Sequence, residues 1–352
     1  MIAVLVWLLA NPATAETLRI ATYNVELNRA GPGLLLRDIQ KGQDPQIAAV
    51  VQVIVALEAD VVLLTGFDYD LDLVALTAFT DLLSAAGAPY PSRCSTRPNT
   101  GLATGLDLDA DGYLGGPGDA QGYGRFSGEG GMAVLSRLPI RTAEVRDFSN
   151  FLWKDLPGAL LFDGMTPDAL AVQRLSTTGH WEVPLDLPGG GSLRLLAWHA
   201  TPPVFDGPED RNGRRNHDEA AFWTALIDGA LPFAPSISPF VLLGDANLDP
   251  EDGDGLSAAL LGLLAHPMLQ NLSPDGTSGR VEADHSGDAA LDTADFSAKD
   301  GPGGLRVDYV LPSADLRVPA AGVMWPAAGD PLAQVLATAS RHYPVWVDIT
   351  VP

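Results

Sequence analysis

The chain has a single cysteine, Cys94, among 352 residues, so it cannot form a disulfide bond within itself. We interpret a lone thiol of this kind as a buried or incidental side chain and not as a nucleophile. Basic residues are also scarce, with 21 Lys and Arg against 44 Asp and Glu, which gives a formal net charge of −23. A surface of this charge repels nucleic acid and anionic membranes unless cations intervene. The composition therefore argues against strong nonspecific DNA binding, while a bound divalent ion would still allow the protein to handle an anion.

Long apolar runs are missing as well, and the run at residues 2–10 is too short to cross a bilayer. The following Ala13-Thr14-Ala15 is typical of the cleavage site of a secretory signal peptide, although the usual positively charged start is absent. We expect residues 1–15 to be a signal peptide cut after Ala15, and residues 16–352 to form one domain. The mature protein is then expected to be secreted or periplasmic, monomeric and not stably inserted in a membrane.

The spacing of apolar residues predicts a layered α/β domain, because strands alternate with helices along the chain. Three segments rich in Gly, Asp and Ser, at residues 95–130, 147–191 and 249–304, lack periodicity and are predicted to be long loops. Strands are predicted at residues 18–26, 61–64, 131–136, 193–198, 240–245, 305–311 and 344–351, and helices at 44–57, 71–86 and 217–231.

The strand at residues 240–245 stands out, because four consecutive apolar residues before Gly244 predict a strand that is buried on both faces. Asp245 and Asn247 come at its end, which is where layered α/β proteins place functional groups. The alternative is a simple β-turn, since Asp and Asn both favour turns.

Polar side chains recur at the ends of several predicted strands. Each one alone has an ordinary structural explanation, such as a turn or a buried histidine with a hydrogen-bond partner. Together they suit a divalent cation with oxygen ligands and a histidine that moves protons. The set comprises Asn24, Glu26, Asp68, His199, Asp245, Asn247, Asp308 and His342.

These residues and their surroundings resemble the endonuclease/exonuclease/phosphatase superfamily, which includes DNase I-like nucleases, sphingomyelinases and inositol phosphatases. The matching segments, in family order, are residues 21–26, residues 131–140, His199, Gly244-Asp245-Ala246-Asn247, residues 306–310 and His342. The resemblance implies an α/β four-layer sandwich, in which two mixed β-sheets pack face to face and are flanked by helices. It also implies metal-dependent hydrolysis of a phosphoester.

The resemblance further implies roles for individual residues. Asn24 and Glu26 would hold Mg²⁺ or Mn²⁺, because a phosphoester resists attack until its negative charge is neutralised. Asp245 would orient or deprotonate the attacking water, and Asn247 would bind a phosphate oxygen. His342, oriented by Asp308, would stabilise the transition state, and His199 would assist the leaving oxygen.

Two residues depart from the family pattern, and both affect the metal site. Gly66 stands where the family usually has a glutamate ligand, and Arg341 stands where it often has an aspartate. Asp68 is two residues after Gly66 and is predicted to lean toward the ion in compensation. Arg341 is predicted to bind substrate phosphate instead, together with Arg174 and Arg211.

The leading prediction from these residues is an exported phosphodiesterase or nuclease whose partner is a phosphoester, nucleic acid included. A phosphatase or phospholipid head-group hydrolase is the first alternative. The second is a catalytically silent relative that binds an extracellular ligand, which the departures at Gly66 and Arg341 would favour.

One further motif lies in the first long loop. Asp107-Leu108-Asp109-Ala110-Asp111-Gly112 has the Asp spacing that opens a calcium-binding loop, and it predicts Ca²⁺ at Asp107, Asp109 and Asp111. The twelfth position of the motif is Gly118 rather than a glutamate, so a solvated acidic loop is the alternative.

Overall fold

The computed structural model describes residues 16–298 and 301–351, and the predicted signal peptide at residues 1–15 lies outside them. The strands are β1 (Glu16–Leu27), β2 (Val61–Phe67), β3 (Ser92–Cys94), β4 (Gly131–Ser136), β5 (Arg146–Asp147), β6 (Gly179–Asp186), β7 (Ser192–His199), β8 (Phe240–Asp245), β9 (Ala294–Asp295), β10 (Gly304–Leu305), β11 (Asp308–Pro312), β12 (Arg317–Val323) and β13 (Val345–Val351). The helices are α1 (Leu34–Lys41), α2 (Pro45–Leu57), α3 (Val74–Ala85), α4 (Pro167–Val172), α5 (Arg211–Ile227), α6 (Ala258–Leu264) and α7 (Pro331–Ala339).

Two mixed sheets form the centre of the protein. The first has the strand order β12-β13-β1-β2-β4-β3, and the second has the order β11-β8-β7-β6-β5. Within each sheet one neighbouring pair is parallel, β1 with β2 and β7 with β8, and the other pairs are antiparallel. A small two-stranded ladder, β9 with β10, lies outside the two sheets.

Side-chain alternation along β8 shows how the layers are arranged, because successive strand residues point to opposite faces. Val241 and Leu243 belong to the core shared with the first sheet and with helices α1, α2, α3 and α7. Phe240 and Leu242 belong to a second core, which α5 and α6 cover. The order of layers is therefore helix, sheet, sheet, helix, and the predicted four-layer sandwich is confirmed.

The sequence correctly predicted β1, β4, β8 and α2 to within two residues at each end, but it missed others. Helix α5 begins at Arg211 rather than at residue 217, because the Arg- and Asn-rich stretch that looked like a loop forms its first turns. The segments predicted as loops also contain the long strand β6 and helix α6. None of the helices formed by the described residues has the length and apolar character needed to cross a membrane.

A bulge between β1 and β2 shapes the edge where polar residues collect. The register shifts between Asn24 and Leu27, so that two residues of β1 face the single residue Gly66 of β2. Both Glu26 (φ 47°) and Gly66 (φ 68°) adopt the left-handed conformation there. A Cβ atom on Gly66 would lie 2.4 Å from the Asn24 Oδ1 atom, which accepts a hydrogen bond from the Glu26 backbone N–H. Glycine is therefore required at position 66 both by conformation and by space.

We predict that Gly66→Ala lowers the free energy of unfolding by about 2–4 kcal/mol, from left-handed strain plus the displacement of Asn24. Gly42→Ala is the matched control, because Gly42 (φ 61°) is also left-handed but has nothing within 4 Å of the added Cβ. The control should cost only about 1 kcal/mol. Urea denaturation measures both values, and equal losses would show that Asn24 gives way without cost.

Candidate active site

Three of the predicted site residues lie side by side on the second sheet. His199 at the end of β7 is in register with Asp245 at the end of β8, and Asp308 at the start of β11 is in register with the same Asp245. They share the face of Val241 and Leu243, which packs against the first sheet. The row of three therefore points into the gap between the sheets.

A hydrogen bond between the sheets fixes the centre of this row. Asn24 of β1 donates from Nδ2 to Asp245 Oδ2 at 2.8 Å, and the Asn247 backbone N–H donates to Asp245 Oδ1 at 2.8 Å. The Asp245 side chain has no exposed surface. Burial, followed by the nearby charge of Asp308, raises the pKa of Asp245, and the two histidines and Asn24 only partly oppose this. Asp245 is thus a carboxylate that can accept a proton more readily than an exposed one.

His342 lies just before β13 and is held by Asp308. Its Nδ1 is 2.8 Å from Asp308 Oδ2, and the same oxygen accepts a hydrogen bond from the Thr293 hydroxyl at 3.0 Å. Burial alone would lower the pKa of His342, but Asp308, Asp245 and Glu26 together raise it to about 9. At neutral pH His342 is therefore an imidazolium, and among the described residues its Nε2 has no hydrogen-bond partner.

His199 has the opposite character. Its Nε2 lies 3.5 Å from Asp245 Oδ2, and 15% of its side-chain surface is exposed. Burial lowers the pKa of His199, although Asp245 opposes the shift. The site thus contains one charged and one neutral histidine, which is a separation typical of acid and base roles.

Glu26 and Arg341 pair with each other at the rim of the site. Arg341 Nε donates to Glu26 Oε1 at 2.8 Å, Nη2 donates to the same oxygen, and the Arg341 backbone N–H donates to Oε2 at 2.8 Å. The Ser340 hydroxyl shares its single proton between the Asn24 carbonyl at 2.8 Å and Glu26 Oε2 at 3.1 Å. Burial raises the pKa of Glu26, but the bonds and charge of Arg341 and the charge of His342 outweigh it, so the net pKa is lowered.

Among the described residues, one cluster of possible cation donors lies in this region, and it differs from the predicted set of Asn24, Glu26 and Asp68. Oxygens of Asp245 and Asp308 and a ring nitrogen of His342 lie within 4.8 Å of one another. Asp308 Oδ1 is buried and has no hydrogen-bond partner among the described residues, which leaves it for a ligand. Two carboxylates are the hard oxygen donors that Mg²⁺ and Mn²⁺ prefer, so this pair fits such an ion.

Asp68 was predicted to lean toward the ion, and the structure gives it another role. Its Oδ2 accepts the Arg29 backbone N–H at 2.8 Å, and its Oδ1 accepts the Gly130 backbone N–H at 2.9 Å. Burial raises the pKa of Asp68 to about 6. With both oxygens bonded to loop backbone, Asp68 joins the loops after β1 and before β4 and does not join the cluster.

Arg174 and Arg211 were predicted to contact substrate phosphate, and their hydrogen bonds instead go to neighbouring loops. Arg174 Nη1 donates to Asn99 Oδ1 at 2.7 Å. Arg211 donates to the Leu108 carbonyl at 3.3 Å and to Gln173 Oε1 at 3.1 Å. Burial lowers the pKa of both arginines. Their placement therefore supports the long loops rather than the row of site residues.

A buried polar face of α5, which the sequence did not reveal, holds the loops that carry His199 and Asp245. Asn216 Nδ2 donates to the carbonyls of Thr201 and Ala246, both at 2.7 Å, and so joins the chain after β7 to the chain after β8. Glu219 accepts backbone N–H groups from Thr177 and Thr201. The charged stretch before the apolar part of α5 was the available signal, since buried polar residues on a helix need specific partners.

The acidic loop gathers three carboxylates, but the third is not Asp111. Oxygens of Asp107, Asp109 and the buried Asp119 lie within 4.8 Å of one another. Asp111 instead accepts the backbone N–H of Tyr113 at 2.7 Å. Asp119, the residue after Gly118, is the third member of the cluster. Gly118 itself has no room for a side chain beside Asp109. Calcium at this loop stays a prediction, with Asp119 in the place of Asp111.

We predict that the imidazole of His342 titrates near pH 9 and that Asp308→Asn moves this value down by about 1–3 units, because the partner charge is lost. The folded protein binds this proton more tightly than the unfolded chain does. The contribution to stability is therefore full below pH 6.5 and is lost as the pH rises through about 9.

NMR titration of the histidine signals in EDTA measures this pKa. Asp228→Asn is the matched control, because Asp228 pairs with the distant His266 at 3.2 Å and its loss should leave His342 unchanged. An unaltered His342 titration in Asp308→Asn would contradict the assignment.

Comparison with solved structures shows the same fold in several bacterial proteins. An endonuclease/exonuclease/phosphatase from Beutenbergia cavernae has 19% identity and a TM-score of 0.55, covering 95% of this chain and 72% of that one. A family protein from Bacteroides vulgatus has 13% identity and a TM-score of 0.53, covering 96% and 100%. A variant of the beta toxin of Staphylococcus aureus, with bound magnesium ions, has 14% identity and a TM-score of 0.51, covering 94% and 99%.

No curated protein matches the chain in sequence. The model of the Endonuclease/Exonuclease/phosphatase family matches residues 21–342, which span β1 to the histidine before β13. The resemblance predicted from the motifs is thereby confirmed. The chain belongs to the Endonuclease/Exonuclease/phosphatase family.

Proposed function

We propose that the protein is an exported phosphoester hydrolase that uses a divalent cation, and that its substrates are phosphodiesters, nucleic acid included. The observation that carries this proposal is the charged His342, bonded to Asp308 and set beside Asp245 where the two sheets meet. Its Nδ1 is used on Asp308, so its Nε2–H can be donated to a bound anion. A phosphate group is the anion that such a site suits.

The roles of the residues follow from their partners. His342 offers its Nε2–H to a phosphate oxygen and stabilises the charge that grows there in the transition state. Asn247 uses one amide hydrogen on the Ala200 carbonyl at 2.9 Å and offers the other to the phosphate. Asp245, with its raised pKa, orients the attacking water and takes its proton. His199, neutral and partly exposed, donates a hydrogen bond to the departing oxygen.

A cation at Asp245 and Asp308 would neutralise phosphate charge when bound. Mg²⁺ and Mn²⁺ are the ions proposed, since the magnesium-containing beta toxin shares the fold and the donors here are carboxylate oxygens. Ca²⁺ is proposed only for the loop cluster of Asp107, Asp109 and Asp119.

We predict that His342→Ala lowers the rate of phosphodiester hydrolysis by at least about 100-fold, because a positioned general acid–base or charge-stabilising group is removed. Purified protein is assayed with bis-p-nitrophenyl phosphate, plasmid DNA and RNA, with Mg²⁺ or Mn²⁺ and with EDTA. The matched control is His266→Ala, which changes a histidine bonded to Asp228 outside the site and should keep its activity.

Hydrolysis that persists in EDTA, or that survives His342→Ala, would contradict the proposed function. Absence of hydrolysis of these phosphodiesters, together with activity on a phosphomonoester or a phospholipid, would move the substrate to those classes. No turnover on any of them would favour the silent relative.

Export is part of the proposal, supported by the apolar run at residues 2–10 and by Ala13-Thr14-Ala15. We predict that protein expressed in a bacterial host accumulates outside the cytoplasm with Glu16 as its first residue. N-terminal sequencing of the exported fraction measures this. Replacing Ala13 and Ala15 with bulky residues should block the cleavage, and full-length protein confined to the cytoplasm would contradict export.

A further inference from the structure

Both carboxylate oxygens of Glu26 accept hydrogen bonds from Arg341. A carboxylate has about four lone-pair positions for hydrogen bonds. Three of them are used on Arg341, by its Nε, its Nη2 and its backbone N–H, and the Ser340 hydroxyl lies against Oε2 while sharing its single proton with the Asn24 carbonyl. A divalent ion could approach only by breaking several of these bonds at once.

Arg341, which is hydrogen-bonded to the Glu26 carboxylate, is itself held in place by several contacts. Its guanidinium carbon lies 5.1 Å from the centre of the Phe296 ring, and its backbone carbonyl accepts the Asp295 N–H at 2.8 Å. Its backbone also leads directly into His342, whose own N–H bonds to the Ser340 hydroxyl at 3.1 Å. The planar guanidinium of Arg341 matches the geometry of the Glu26 carboxylate, so the two form strong, charge-assisted hydrogen bonds.

The neighbouring side of the site cannot supply a replacement ligand. Gly66 has no side chain, and a Cβ there would overlap Asn24 Oδ1. Asn24 itself is engaged through Oδ1 with the Glu26 backbone and through Nδ2 with Asp245. The residues on the β1 side of the site therefore do not fit a metal ion, whereas Asp245 and Asp308 on the other sheet do.

We propose that Arg341 serves as the resident cation of the β1 side of the site, so that Glu26 is not a metal ligand and ion binding depends on Asp245 and Asp308. The ion itself rests on the proposed function, whereas the pairing of Glu26 with Arg341 does not. Arg341 keeps 59% of its side-chain surface exposed, so its outer face can also meet an anionic phosphate.

Metal affinity, measured without substrate, tests this proposal. Mn²⁺ is titrated into the protein while broadening of the His342 imidazole signals is followed, so that binding at the site is separated from binding at the acidic loop. We expect Glu26→Gln to keep the Kd within about twofold and Asp308→Asn to weaken it at least tenfold, since only the second removes a ligand. Arg341→Ala should tighten binding at least fivefold, because it frees the Glu26 carboxylate.

The double variant Glu26→Gln with Arg341→Ala is the decisive control, and its Kd should return to the wild-type value. Arg341→Gln serves as a second variant that removes the charge and keeps hydrogen-bonding capacity, and thermal unfolding confirms that each variant is folded. A tenfold weakening in Glu26→Gln, or no tightening in either Arg341 variant, would overturn the proposal. This affinity pattern in a protein without turnover would instead overturn the proposed function alone.

Discussion

The buried carboxylate of Asp245 is the constraint on which the rest of the site depends. It lies where the ends of β8 and β1 meet, and it accepts hydrogen bonds from Asn24 on the opposite sheet and from the Asn247 backbone. A carboxylate taken out of water costs several kcal/mol unless its lone pairs are satisfied, so both bonds must persist in the folded protein. The two sheets are thereby held in one relative position at this edge. Asp308 is then brought beside a second acid, and His342 supplies the compensating positive charge.

The loops around this carboxylate are supported from the far side by α5. A helix that covers a sheet normally presents apolar residues, and α5 does so through Phe222, Trp223 and Leu226. Its earlier turns instead bury Arg215, whose guanidinium donates to four backbone carbonyls, of Gln121, Arg174, Leu175 and Ser176. Since irregular backbone cannot satisfy its own polar groups, the helix side chains take the place that a strand ladder would have. The long loops are therefore ordered by a polar core rather than by an apolar one.

The sequence alone was sufficient where local rules act. A run of four apolar residues predicted β8, and a polar residue at each strand end pointed to Asp245, His199 and Asp308. Register between neighbouring strands carries these strand ends to a common edge. His342 belonged to the same set of polar residues, but its role beside Asp308 was predicted only through the resemblance, since nothing local distinguishes it from a surface histidine.

Contacts between distant parts of the chain were not predictable in this way. The pairing of Glu26 with Arg341 joins positions 315 residues apart, and no spacing rule connects them. Asp119 closes the acidic loop because of how the chain folds back, which a linear motif does not encode. The bonds of Asp68 to the backbone of Arg29 and Gly130 were not predicted, because they depend on where two loops cross. The sequence pattern thus did not contain the positions that the loops take in the folded protein.

The left-handed glycine at the bulge has a consequence for how such a site can change over time. A glutamate at Gly66 would be strained by the left-handed backbone and would overlap Asn24. A ligand at position 66 therefore requires the bulge to be straightened or Asn24 to be moved, and both changes loosen the contact between the sheets. Exchange of the exposed Arg341 carries no such obstacle. Substitution of Arg341 is therefore the easier first change toward tighter ion binding, and substitution of Gly66 is the harder one.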